Sequence, residues 1–291
     1  MRDFAVDRGD AVLAGSLTLP DRTPAPALVA VHGAEAATRD YALYRHLHTV
    51  LPPAGLAAVT FDRRGEGAST GDPSAGRFDL LAADAIAVVE HAAALPEIEP
   101  ARIGLWGISQ GGWVAPLAAA HSNRIAFLVL VASAGVSPAE QMRWAVPRQL
   151  RLAGYGDDAV ALQTAARAEL EEVVHGRGSP ERAQELLEAG SREPWWPLAY
   201  LPDRLLDDEE RRQWIEEMDF EPEPVFAAVR VPTLLVYGED DDWMPVDLSV
   251  EAWRRARGDE VEVVRLPGVG HEPIGSRAYE EALLEWLRAR S

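Results

Sequence analysis

Gly107-Ile108-Ser109-Gln110-Gly111-Gly112 follows the apolar run Arg102-Ile103-Gly104-Leu105-Trp106 and precedes a helix-like segment over residues 113–121. A G-x-S-x-G between a strand and a helix forces its serine into a sharp, strained turn that lifts the hydroxyl clear of the sheet. The flanking glycines let strand and helix come close without Cβ clashes. Ser109 is therefore the candidate nucleophile. Glycine-rich strand-to-helix turns without chemistry also produce this pattern by chance, so the decision rests on the rest of the chain.

On either side of this stretch, short and nearly unbroken apolar runs recur at residues 27–31, 56–61, 102–106, 125–131, 233–237 and 260–266. Helical periodicity separates most of them, near 80–95, 113–121, 246–257 and 277–290. Such runs are strands buried on both faces. Their alternation with helices predicts an α/β fold with a mostly parallel central sheet flanked by helices, and ligands at the carboxyl ends of the strands. Ahead of them residues 11–20 alternate and predict an antiparallel strand. Between residues 135 and 228 no strand pattern appears, and helical stretches at 158–174 and 180–189 dominate. The expected organisation is a core of residues 1–134 and 229–291, with a helical lid of residues 135–228 inserted in it. The inserted segment holds 20 acidic residues against 10 arginines. Its run Asp207-Asp208-Glu209-Glu210 suits a solvated helix start, with acids at the positive end of the dipole.

Composition excludes several classes of chemistry. The 291 residues suffice for one large α/β domain with an insertion. A net charge of −19 repels nucleic acid phosphates and anionic membrane surfaces, so neither is an expected partner. There is no cysteine, hence no disulfide, thiolate metal site or cysteine nucleophile. All 28 basic residues are arginine, which removes Schiff-base chemistry and with it pyridoxal phosphate. With no H-x-x-x-H pair either, no metal or other cofactor is expected. The first residues lack the apolar core of a signal peptide, and no run is long enough to span a bilayer, so a cytoplasmic protein is expected. Oligomeric state leaves no mark on the sequence.

A serine hydroxyl attacks an ester only with a base in reach and an acid that orients that base. In a sheet of this type their order along the chain is Ser, then Asp or Glu, then His. The strand at 233–237 runs into Gly238-Glu239-Asp240-Asp241-Asp242-Trp243-Met244-Pro245, a carboxylate-rich loop. The next strand leads into Gly268-Val269-Gly270-His271-Glu272-Pro273, a glycine-flanked loop presenting one histidine. Both loops belong at the same sheet edge as Ser109.

Together with an N-terminal hairpin, Val31-His32-Gly33 after the first parallel strand and Phe61-Asp62-Arg63-Arg64-Gly65-Glu66-Gly67-Ala68-Ser69 after the second, these motifs resemble the α/β-hydrolase superfamily, and within it bacterial serine esterases and lipase-like members with a helical cap. The resemblance spans nearly the whole chain. It implies an α/β-hydrolase fold and a carboxylic ester or lactone as small-molecule substrate, cleaved through an acyl-enzyme. It assigns the base to His271 and, through a pattern like G-x-x-D-x-x-V-P, the acid to Asp241, with Met244-Pro245 in place of Val-Pro. Asp240 and Asp242 stay open as alternatives. It gives the oxyanion donors as the backbone N–H groups of Gln110 and Ala34.

The chain departs from its relatives after the His-Gly pair, where Ala34-Glu35-Ala36-Ala37-Thr38-Arg39-Asp40 stands. A carboxylate beside a forming oxyanion opposes catalysis. Glu35 must therefore point away, paired for instance with Arg39, or face a cationic part of the substrate. Trp113 and Trp243 adjoin the expected nucleophile and acid, while Trp144, Trp195 and Trp196 lie in the lid. One or two of these five are expected in the substrate pocket. His32 and the Asp62-to-Gly65 loop are expected to be structural. Amide hydrolysis and acyl transfer use the same triad, and a ligand-binding module with a vestigial triad is the alternative of another class.

Overall fold

The computed structural model describes residues 1–73 and 77–290. Its sheet contains β1 (Arg2–Asp7), β2 (Val12–Thr18), β3 (Ala25–Val31), β4 (Ala57–Phe61), β5 (Ile98–Ile108), β6 (Ile125–Val131), β7 (Thr233–Gly238) and β8 (Val261–Leu266). Their order across the sheet is β1-β2-β4-β3-β5-β6-β7-β8. β1 and β2 form an antiparallel hairpin and β2 meets β4 antiparallel, whereas every pair from β4 through β8 is parallel. β3, β4 and β7 are buried at every position, as strands flanked by helices on both faces must be.

β1 completes the N-terminal hairpin that the resemblance implies, but the pattern of its own residues does not mark it. Only Phe4 and Val6 of its residues are half-buried and the rest are exposed, so its apolar signal is too sparse to read. Its charged ends also suit a sheet edge, where they discourage pairing with another chain.

The helices of the sheet unit are α1 (Ala42–Val50), α2 (Phe78–Ala93) and α3 (Gly111–His121), with α8 (Pro222–Ala228), α9 (Val246–Arg257) and α10 (Arg277–Arg288) later in the chain. Between them lie α4 (Pro138–Leu152), α5 (Asp157–Val174), α6 (Pro180–Ser191) and α7 (Asp208–Met218). The chain divides into two compact units. One comprises Met1–Gly135, Pro222–Asp241 and Val246–Ser291, and the other Val136–Glu221 with Asp242–Pro245.

The second unit is helical, with capped starts. Ser137 caps α4 ahead of Pro138, Ser179 caps α6 ahead of Pro180, and Asp207 and Glu210 close a reciprocal capping box on α7. Its interior gathers Val146, Leu150, Leu170, Leu187, Trp195 and Trp196.

Two boundaries differ from the expected ones. The inserted segment ends at Glu221, not at residue 228, because α8 belongs to the sheet unit, where Phe226 stacks on Trp253 of α9 with centroids 3.9 Å apart. In addition, Asp242–Pro245 joins the helical unit. Gln141 and Gln149 of α4 donate side-chain amides to the carbonyls of Trp243, at 2.8 Å, and Asp242, at 3.2 Å. Both differences are long-range packing effects that local periodicity does not carry.

Candidate active site

β5 ends at Ile108, α3 begins at Gly111, and Ser109 between them has a φ of 52°. A left-handed conformation costs a non-glycine residue of order 1–3 kcal/mol and persists only where its surroundings fix it. Here Ser109 N donates to Val131 O of β6 at 3.0 Å, and its own carbonyl accepts from Gly112 N at 2.8 Å. Gly111 allows the fit: a Cβ at that position would lie 2.6 Å from Val31 O at the end of β3. The elbow is thus locked between the two strands that flank β5.

Parallel register brings the other loops to the same edge. Gly238 at the end of β7 pairs with Leu266 at the end of β8. Beyond them Glu239 N donates to Leu266 O and Asp240 N to Val269 O, both at 3.0 Å. The backbones approach so closely that a Cβ at Gly238 would fall 2.1 Å from Val269 O. These stitches place the Asp241 carboxylate, 0% exposed, against the His271 ring, whose Nδ1 lies 3.1 Å from both carboxylate oxygens. Asp240 is exposed, and Asp242 is half-buried and belongs to the helical unit. Of the three candidate acids, Asp241 is the one brought to His271.

The first loop follows β3. His32 is buried, and its Nε2–H donates to Phe61 O at 2.6 Å. Burial, reinforced by the positive charge of Arg63, pushes its pKa down to about 4, so the ring is neutral and structural. Gly33 lies against the elbow, close enough that a Cβ there would be 3.6 Å from Ser109 Cβ. Tyr44 Oη accepts from Gly33 N at 3.3 Å and donates to Ala36 O at 3.0 Å, which pins the loop from beneath. Among the described residues, the backbone N–H groups of Ala34 and Gln110 donate to no other group of the protein.

Glu35 is exposed and Arg39 does not pair with it. That expected pair gives way because Asp62 captures Arg39: Asp62 Oδ1 accepts from Arg39 N at 2.8 Å and Oδ2 lies 3.6 Å from its Nε, while Asp3 sits 3.8 Å from Nη1. Arg63 instead reaches the loop. Its guanidinium donates to Gly33 O at 2.8 Å, to Ala34 O at 3.3 Å and to Gln110 Oε1 at 2.5 Å. Beside it Arg64 is buried in a bidentate pair with Asp84 of α2, at 2.7 and 2.8 Å. Both arginines were legible only as parts of a turn, since their targets lie tens of residues away in the chain.

The tryptophans separate by unit. Trp113 is buried in the sheet unit and stacks on Phe78, with centroids 5.5 Å apart. In the helical unit Trp243 meets Tyr200 edge-on at 5.5 Å, Trp144 lies under the Arg148 guanidinium, and Trp195 and Trp196 are core. Among the described residues no group of three or more His, Asp and Glu converges as for a metal ion, and no helix is long and apolar enough to cross a membrane.

Comparison with known proteins gives the family and the fold. Residues 22–277 match the family model described as serine aminopeptidase, S33, and the chain belongs to that family of α/β hydrolases. It is 28% identical to an uncharacterised protein of Mycobacterium tuberculosis, over 98% of this chain and 79% of that one. Among solved structures, it shares its fold with an esterase of Pyrococcus furiosus, PF2001, at a TM-score of 0.70 and 16% identity, covering 99% of this chain and 91% of the esterase. It is likewise similar to a proline iminopeptidase of Mycobacterium smegmatis, at a TM-score of 0.66 and 16% identity over 99% and 98% of the two chains.

Proposed function

From this membership as premise, we propose that the protein is a serine hydrolase that cleaves carboxylic esters or lactones through an acyl-enzyme. The observation that carries the proposal is the buried Asp241 carboxylate held against His271 Nδ1, at the sheet edge where Ser109 sits in its strained turn. Asp241 accepts a hydrogen bond from Nδ1–H of His271, which keeps the proton on Nδ1 and leaves Nε2 as the free base. That nitrogen takes the proton of Ser109 as Oγ attacks the carbonyl carbon. The negative charge on the carbonyl oxygen is met by the N–H groups of Ala34 and Gln110, each worth about 3 kcal/mol in favourable cases. The imidazolium then protonates the departing alkoxide, the acyl group stays on Ser109, and water repeats the sequence to release the acid. No cofactor enters any step.

With a net charge of −19, the protein's field favours neutral or cationic substrates over anionic ones. A bulky amine-bearing ester, such as a macrolide-type lactone, fits that preference, and the carboxylate of Glu35, exposed and adjacent in sequence to Ala34, would meet such an amine. Amide hydrolysis is the second reading, because the family description is that of an aminopeptidase. Matched ester and amide pairs decide between them. We expect kcat/KM for the ester to exceed that for the amide, and Ser109→Ala to lower it at least about 10⁴-fold. Preferred turnover of the amide overturns the esterase assignment, and full activity in Ser109→Ala overturns the serine mechanism.

A further inference from the structure

Both expected oxyanion donors converge on one side chain, Arg63. The peptide between Gly33 and Ala34 has its carbonyl oxygen on residue 33 and its N–H on residue 34, so the 2.8 Å bond from Arg63 Nη2 to Gly33 O acts on the very peptide that presents the Ala34 donor. A charge-assisted bond to that carbonyl fixes the peptide plane and polarises it, which makes its N–H a stronger donor. The same Nη2 donates to Gln110 Oε1 at 2.5 Å, and so anchors the residue whose backbone N–H is the other donor. Nη1 adds a third contact, to Ala34 O at 3.3 Å.

The guanidinium is itself held by a braced loop. Arg63 N donates to Ala37 O at 2.8 Å. Asp62 accepts from Ala68 N and Arg39 N, and the neighbouring Arg64 is buried on Asp84. The planar fork gives these bonds fixed directions, whereas the rotating ammonium of a lysine on its flexible stem does not.

We infer that Arg63 is a positioning residue for catalysis. It ties the loop after β3 to the residue after the nucleophile and thereby sets the spacing and polarity of the oxyanion hole. The inference rests on the serine-hydrolase proposal above and adds to it a residue that acts through Gly33 and Gln110.

The test compares an oxygen ester with its matched thionoester, whose developing charge falls on sulfur, a poor acceptor for these donors. Wild type, Arg63→Met, Arg63→Lys and Gln110→Met are measured with both, and the thermal midpoint of each variant is recorded. We expect Arg63→Met to lower kcat for the oxygen ester on the order of 30-fold with KM changed less than about threefold, and the thionoester rate far less, so that the oxygen-to-sulfur ratio falls about tenfold. Arg63→Lys should recover only part of that ratio. Gln110→Met, which removes one arm and keeps its backbone N–H, should shift the ratio the same way by a smaller factor, and it carries the test if Arg63→Met fails to fold.

An unchanged ratio in a folded Arg63→Met variant overturns the inference alone, as does an unchanged ratio in Gln110→Met if that variant must stand in. A wild type that turns over neither ester overturns the serine-hydrolase proposal and the inference with it.

Discussion

In β3 and β4 every residue is buried, whereas α7, eleven residues long, has none that is fully buried. The polar contacts differ in the same sense. Arg64 and Asp84 in the sheet unit pair at 2% exposure each and join segments 20 residues apart. In the helical unit Arg204 and Glu210, or Arg177 and Glu172, pair on the surface within a few residues of one another. The sheet unit thus fixes its loops through long-range contacts in a low-dielectric interior, where losing one partner strands a buried charge. The helical unit has a packed apolar interior and also buries Arg167 beside Glu171, but surface pairs such as Arg204–Glu210 are screened by water and contribute little. Position is specified more tightly by such buried pairs than by exposed ones.

The largest effect should come from the acid. Asp241→Asn is expected to lower kcat about 10³- to 10⁴-fold while the fold is kept, since the amide favours the wrong imidazole tautomer. Asp240→Asn and Asp242→Asn should change it less than about threefold. Steady-state kinetics of the three variants checks this, and comparable losses in all three would dissolve the distinction between the buried acid and its neighbours.

Next in size is a paired test of the ion pairs. Arg64→Met should cost about 3 kcal/mol of unfolding free energy in urea, because the Asp84 carboxylate is left buried with only the partly exposed Arg8 beside it. Arg204→Gln should leave the urea midpoint unmoved.

Acidification should act on the sheet unit too. The pKa of His32 is depressed to about 4 from its ordinary value near 6.5. Above that ordinary value the ring is neutral in both states and its contribution is fully present. As pH falls from about 6.5 toward 4 only the unfolded chain takes up the proton, so stability is lost, by about 3 kcal/mol across the window. Urea titrations of wild type and His32→Asn at pH 7 and pH 4.5 check this, and an equal loss in the variant would assign the acid sensitivity elsewhere.

The elbow was legible because its chemistry is local: a strained serine needs small neighbours on both sides within a few residues. The parallel strands were legible because burial on both faces leaves unbroken apolar runs. Choosing Asp241 over Asp240 and Asp242 from the residues alone was not possible, since three adjacent carboxylates differ only in which way the stitched loop turns them. β1 carries almost no apolar pattern of its own because an edge strand needs few apolar residues, so it is implied by the hairpin of the resemblance alone. Arg63 read as part of a turn because its partners, Gly33 and Gln110, are about 30 and 47 positions away in the chain. Local spacing encodes elements and motifs, and long-range packing decides which of several equivalent side chains does the work.

The most direct measurement is time-resolved intact mass of wild type and Ser109→Ala exposed to a fluorophosphonate, followed by peptide mapping of any adduct. One adduct is expected on wild type, mapped to Ser109, and none on Ser109→Ala. No adduct on wild type, or one that persists in the variant, would contradict the claim that Ser109 is the activated nucleophile.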